Sequence, residues 1–224
     1  FQDTPFTFSG AHTFSGAGNH WFGNSTVTLA DAATALNVNG NFNIGSYGTT
    51  TLTGPGTMNV NSGGTLTIHP GTTTFSGSKL VTLAGSNSFI HKNGHSLEFN
   101  NGATWVNSGT VSMGNSTNAL NGTSGTLFTN LPGGFFKTTT AQENRLAMPY
   151  LNSGTFEAES GSLLIASTGT FNNGSIKVAA GLGIHPIGGA TVNFQGVGNT
   201  ATGDGFFGPS NGNFSFAPGS KLTG

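Results

Sequence analysis

The 224-residue chain has 6% charged residues, a formal net charge of −1, 38 Gly, 19 Phe and no Cys. These totals exclude disulfides and thiolate metal sites and supply no basic patch for nucleic acid. No run reaches the roughly 18 apolar residues that a membrane-spanning helix needs. Low charge with large apolar residues spread along the chain argues for an ordered, strand-rich fold with a neutral polar face, since disorder goes with high net charge and few such residues.

The chain opens at Phe1 with no preceding Met or signal peptide, so we expect a mature or excised piece of something longer. Residues 1–22 are rich in Phe and Gly. Short alternating segments follow at 26–29, 36–38, 42–44, 51–53, 58–60, 66–68, 74–75, 81–83, 88–90, 97–99, 104–106, 111–113 and 127–128. Asn59 to Ile68 shows the unit: a small polar turn at Ser62-Gly63-Gly64, then a strand with Leu66 and Ile68 on one face. The last apolar residue of successive segments advances in steps of six to nine, through 38, 44, 52, 60, 68, 75, 83, 90, 99, 106 and 113.

Strands so short and evenly spaced suit a sandwich, a barrel or a solenoid. Asn-Gly hairpin turns are not dominant, and strands of three or four residues bury little unless coils stack. The expected fold is therefore all-β, a parallel β-helix of roughly nine coils with three strands each. Asn61, Asn101, Asn107, Asn152 and Asn172 are expected at corners, where Asn tolerates left-handed backbone.

Residues 132–150 break the rhythm. They carry Lys137, Glu143 and Arg145, and Gln142 to Met148 suit one helical turn. The stretch reads as an irregular excursion, either a ligand loop using Lys137, Glu143, Arg145 and Tyr150 or a plain polar insertion. The rhythm resumes at 155–158, 163–165, 170–171, 175–178, 182–184 and 191–194. A longer repeat relates 4–36 to 191–222. Phe8 matches Phe194, Trp21-Phe22 match Phe206-Phe207, Val27 to Leu29 match Phe214 to Phe216, and Leu36 matches Leu222, at offsets of 185 to 187 residues. We read residues 1–224 as one solenoid domain holding one such period and the opening of the next.

Thr51-Leu-Thr-Gly-Pro-Gly-Thr-Met-Asn-Val60, Gly64-Thr-Leu-Thr-Ile68 and Asn101-Gly-Ala-Thr-Trp-Val-Asn-Ser-Gly-Thr110 resemble the coils of large secreted bacterial repeat proteins. So do Gly134-Phe-Phe-Lys-Thr-Thr-Thr140, Leu151 to Leu163 and Gly174 to Gly181. The family is the parallel β-helix class of filamentous-haemagglutinin-like adhesins and autotransporter passengers. The resemblance implies secretion, an extended β-helix and a role at the cell surface or in an extracellular fibre. No catalytic residues carry over from it.

Candidate chemistry is sparse. His91 and His95 form the only close histidine pair, and Asn93-Gly94 makes the segment a turn, so exposed corner histidines are the expectation over a metal site. Glu157 and Glu159 share a strand face, the one candidate for weak calcium binding; Asp3, Asp31 and Asp204 stand alone. A β-helix polysaccharide lyase is a minor alternative, because the clustered acids and base it needs are absent from the sequence; we expect no enzyme and no cofactor. Thr26/Thr28, Thr51/Thr53 and Thr65/Thr67 suggest ice binding as another minor alternative, against the plain reading that Thr suits a wet strand face.

The ends are aromatic: Phe6, Phe8, Trp21 and Phe22 at one, Phe206, Phe207, Phe214 and Phe216 at the other. Either they belong to the ordinary inner stack or they form a head-to-tail joint that builds a filament. The expected function is an extracellular structural or adhesive solenoid, whose partners are copies of itself or adjoining repeats. The alternative is a glycan- or host-binding module using 132–150. Five Asn-x-Ser/Thr sequons, at Asn24, Asn115, Asn121, Asn173 and Asn213, are expected by chance in so Ser/Thr/Asn-rich a chain.

Overall fold

A computed structural model describes residues 1–45, 48–91, 96–114 and 119–224. Alternation decides the local structure. In Thr65–Ile68 the side chains of Leu66 and Ile68 are buried while Thr65 and Thr67 face outward, and Thr26–Leu29 and Thr57–Val60 repeat the arrangement. The chain forms thirty strands, and this alternation recurs in most of them. Every third strand stacks in parallel on the one before, giving three ten-stranded sheets and nine successive steps along each. The first sheet starts with Phe6–Phe8, the second with Ala11–Phe14 and the third with Asn19–Phe22. The chain is thus an all-β parallel solenoid of about nine turns, with no helix among the described residues.

The three inner faces enclose one apolar column. On the first sheet Val27 pairs with Leu52, Leu52 with Phe75 and Phe75 with Phe99. On the second, Leu36, Met58, Leu80, Trp105 and Phe128 follow one another. Each fully buried Leu or Phe contributes about 1.5–3 kcal/mol relative to exposure. A slip of one residue would turn a strand's apolar set outward, so the column also fixes register.

Corners take up the variation in sequence spacing. Gly54, at φ +98°, passes so close to the preceding turn that a Cβ would lie 2.1 Å from the Leu29 carbonyl oxygen. Asn101 holds φ 53°, as expected of a corner asparagine. Asn107 and Asn152 behave differently. With Asn130 they end strands of the second sheet, and all three side chains turn inward, fully buried. Asn107 Nδ2 donates to Asn130 Oδ1 at 2.7 Å, and Asn130 Nδ2 donates to Asn152 Oδ1 at 2.7 Å. The ladder also reaches the backbone at the corner with the third sheet.

Two expectations are corrected. Residues 132–150 are not an excursion: Phe135–Thr138, Asn144–Ala147 and Tyr150–Asn152 take regular places in the third, first and second sheets. The helical turn expected at 142–148 is replaced by a strand, because neighbours on both sides pair with it and Leu146 points into the core. The repeat relating 4–36 to 191–222 does not place equivalent strands on one face. Phe8 lies on the first sheet and Phe194 on the second, Val27 on the first and Phe214 on the second. The matched strands are 25 apart, eight turns and one further side, so the second copy is rotated by one face.

Candidate functional site

The four residues expected to form one ligand loop go to three faces. Lys137 points out from the third sheet, where its Nζ lies 2.9 Å from Glu159 Oε2. Glu143 and Arg145 are exposed at and beside the first sheet. Tyr150 lies inside the second, 3% exposed, with a hydroxyl that has no partner. Burial pushes that phenol well above its usual range. Consecutive strands occupy different sides of a three-sided coil, so residues close in sequence cannot converge there.

The third sheet carries a run of alternating charge. Glu157 pairs in register with Lys137 on one side and Lys177 on the other, and Lys177 Nζ stands 5.7 Å from the Phe135 ring centre. Lys137 meets the charge a calcium ion would use at Glu159, and lysine positions flank Glu157 in register on both sides. No group of three His, Asp or Glu able to hold a metal occurs among the described residues. His95 lies outside the described residues; His12, His20 and His185 contact backbone carbonyls.

The aromatic ends divide. Phe22 is fully buried, while Phe6 and Phe8 are half-buried. Phe1 folds over that end, its ring 4.6 Å from Phe6 and 5.9 Å from Phe8. At the other end Phe207 stacks on Phe214 at 4.8 Å and Phe216 on Phe194 at 4.9 Å, with Phe216 50% exposed. Trp21 and Phe206 do not belong to the end faces. Trp21 lies along the outside of the third sheet, stacked on His69 at 4.7 Å. Phe206 faces sideways from the first sheet, 59% exposed.

Two shallow concave surfaces lie around Phe206. Its ring is 5.5 Å from that of His185, and together they form a ridge between two clefts. One cleft, of about 580 Å³, is lined by Ser162, Leu182 and Asp204; the other, of about 380 Å³, by Glu143, Leu164 and Pro209. Glycines make room for the ridge. A Cβ on Gly183 would lie 1.8 Å from His185 Nε2, and one on Gly208 would lie 2.5 Å from Phe206. His185 Nδ1 is held 3.2 Å from the Gly208 carbonyl oxygen. An apolar plate with a carboxylate on each side suits a ligand that has both C–H faces and hydroxyl groups. Isolated acids and scattered aromatics gave no sequence signal for this site, because its residues come from four successive turns of one face.

No protein-family model matches the chain, and no curated protein matches it. Among solved structures it is similar to the "Crystal structure of TibC-catalyzed hyper-glycosylated TibA55-350 fragment". Identity is 13% and the TM-score 0.19, over 99% of this chain and 100% of that one. So slight a likeness carries no argument; the solenoid rests on the strand pairing described above.

Proposed function

We propose that the chain is a segment of a secreted bacterial structural and adhesive solenoid that stacks end to end, with copies of itself or with adjoining repeats at the cell surface. The observation that carries this reading is the apolar end formed by Phe207, Phe214, Phe216 and Leu222, bordered by the unpaired edges of the last strand in each sheet. Open edges and partly buried aromatics are what a further coil would cover. The opposite end presents Phe1, Phe6 and Phe8. The role is mechanical, and we read the chain as non-enzymatic. Electron microscopy of the purified chain should show filaments, and Phe207→Asp with Phe214→Asp should leave single rods. Single rods from the unaltered chain at all concentrations would defeat the homopolymer reading.

The clefts favour a second reading, saccharide binding at the His185–Phe206 ridge. The ring would stack on a sugar face while Asp204 or Glu143 accepts hydroxyl hydrogens. Phe206→Ala should weaken binding to a responding glycan about tenfold. Gly183→Val should abolish it by displacing His185, with the circular dichroism spectrum preserved. Equal affinity of both variants and the unaltered chain would move the site elsewhere.

A further inference from the structure

The threonines whose sequence spacing is irregular become regular on the first sheet. Thr7 pairs with Thr28, Thr28 with Thr53 and Thr53 with Ser76. Beside that rank, Thr26 pairs with Thr51 and Thr51 with Thr74, and beyond it Thr49 pairs with Thr72. Eight threonines and one serine thus stand in three ranks over four consecutive turns, all on the outer side. Among the described residues none of the eight threonine hydroxyls has a protein partner, and no charged side chain interrupts the ranks before Glu98.

Strand preference alone does not account for this. Over the same four turns the outward positions of the second sheet are Ala11, Thr13, Ala35, Asn37, Thr57, Asn59, Lys79 and Val81, with only two threonines among them. The first sheet is therefore a distinct surface. Its repeat is about 4.8 Å along the stack and about 6.6 Å along each strand, two residues apart. The first is close to the shorter oxygen repeat on the prism faces of hexagonal ice, and the second falls somewhat short of the longer one. Each Thr offers a hydroxyl and a methyl group on a stiff χ1, and beyond the edge strand that carries Thr7 the backbone beneath is pinned by ladders on both sides. One carboxylate, Asp3, borders the face beside Thr26, Thr49 and Thr51, held by Asn24 Nδ2 at 2.7 Å; the ranks themselves carry no ion to organise water radially.

We propose that the threonine face of the first sheet binds ice, holding its first water layer in register with the crystal. The face lies along the side of the solenoid, so the proposal is independent of end-to-end assembly and of the saccharide cleft.

The test is nanolitre osmometry on the purified chain, on Thr51→Tyr at the centre of the array, and on Val106→Tyr, which faces outward from the second sheet. All three should have the same circular dichroism spectrum and melting temperature. The unaltered chain and Val106→Tyr should facet growing ice crystals and open a gap between melting and freezing points, whereas Thr51→Tyr should give round crystals and no gap. Round crystals from the unaltered chain, faceting that survives Thr51→Tyr, or equal loss in Val106→Tyr would each overturn the proposal. If Thr51→Tyr does not fold, Thr53→Lys replaces it under the same criteria.

Discussion

Asn130→Ala is expected to lower the unfolding free energy by about 3 kcal/mol. The side chain is fully buried, and its loss removes more than one bond. Asn130 Nδ2 donates to Asn152 Oδ1 at 2.7 Å, to the Gly134 carbonyl at 3.2 Å and to the Thr155 carbonyl at 3.3 Å, and Asn130 Oδ1 accepts from Asn107. Asn107 keeps backbone partners at Gly109 and Phe135, so its amide is not stranded. Asn152 Oδ1 loses its donor in a site closed to water, and a buried unsatisfied group costs about 1–3 kcal/mol. Urea denaturation measures the loss.

Asn130→Asp sharpens the test. A carboxylate there would face the acceptors of Asn152, Gly134 and Thr155 with no proton to give, so its folded-state pKa is raised above the unfolded value of about 3.9. The sign follows: the protonated acid can donate, so this variant is least destabilised below about pH 4 and loses stability as pH rises toward its folded pKa. A pH-independent difference between Asn130→Asp and the unaltered chain would show that the ladder is not dry.

The physics of the strands explains what is legible in the sequence. Thr65-Leu66-Thr67-Ile68 announces its own two faces, and repetition of that pattern announces the solenoid, because both are local properties. The place of a strand on one of three sides depends on every corner before it. Thr26 to Thr51 is 25 residues and Thr51 to Thr74 is 23, so the interval looks irregular while the register is strict. Arg145 looked like part of a loop for the same reason: its neighbours in space are Ala119 and Leu164, not Lys137. Tyr150 gave a polar signal, yet it occupies the inward rank between Phe128 and Gly169, where the missing Cβ of Gly169 leaves room for its ring. Thr50 and Thr73 break the pattern outright. They face inward, fully buried, and their hydroxyls have no partner; the alternation of Thr with Thr conceals which of them lies inside.

Trp105→Ala is expected to cost about 4 kcal/mol, in the range of large aromatic truncations in closed cores. The indole fills the column between Phe99, stacked at 5.8 Å, and Phe128, edge-on at 5.5 Å. Its Nε1 donates to Thr82 Oγ1 at 3.0 Å, and that hydroxyl lies 2.9 Å from Ser88 Oγ. Trp105→Phe should cost only about 1–2 kcal/mol, because ring packing is retained and Thr82 keeps Ser88 as a partner. The larger loss should also be localised. Each turn contacts only its neighbours, so weakening a middle turn uncouples the two halves of the stack. The chain has two tryptophans, and with Trp105 replaced, Trp21 alone reports fluorescence, from the turns near the first end. In Trp105→Ala the urea transition seen by Trp21 should separate from that seen by circular dichroism over the whole chain. In Trp105→Phe the two should stay together. Coincident transitions in Trp105→Ala would mean that the solenoid unfolds as one unit despite its nearest-neighbour architecture.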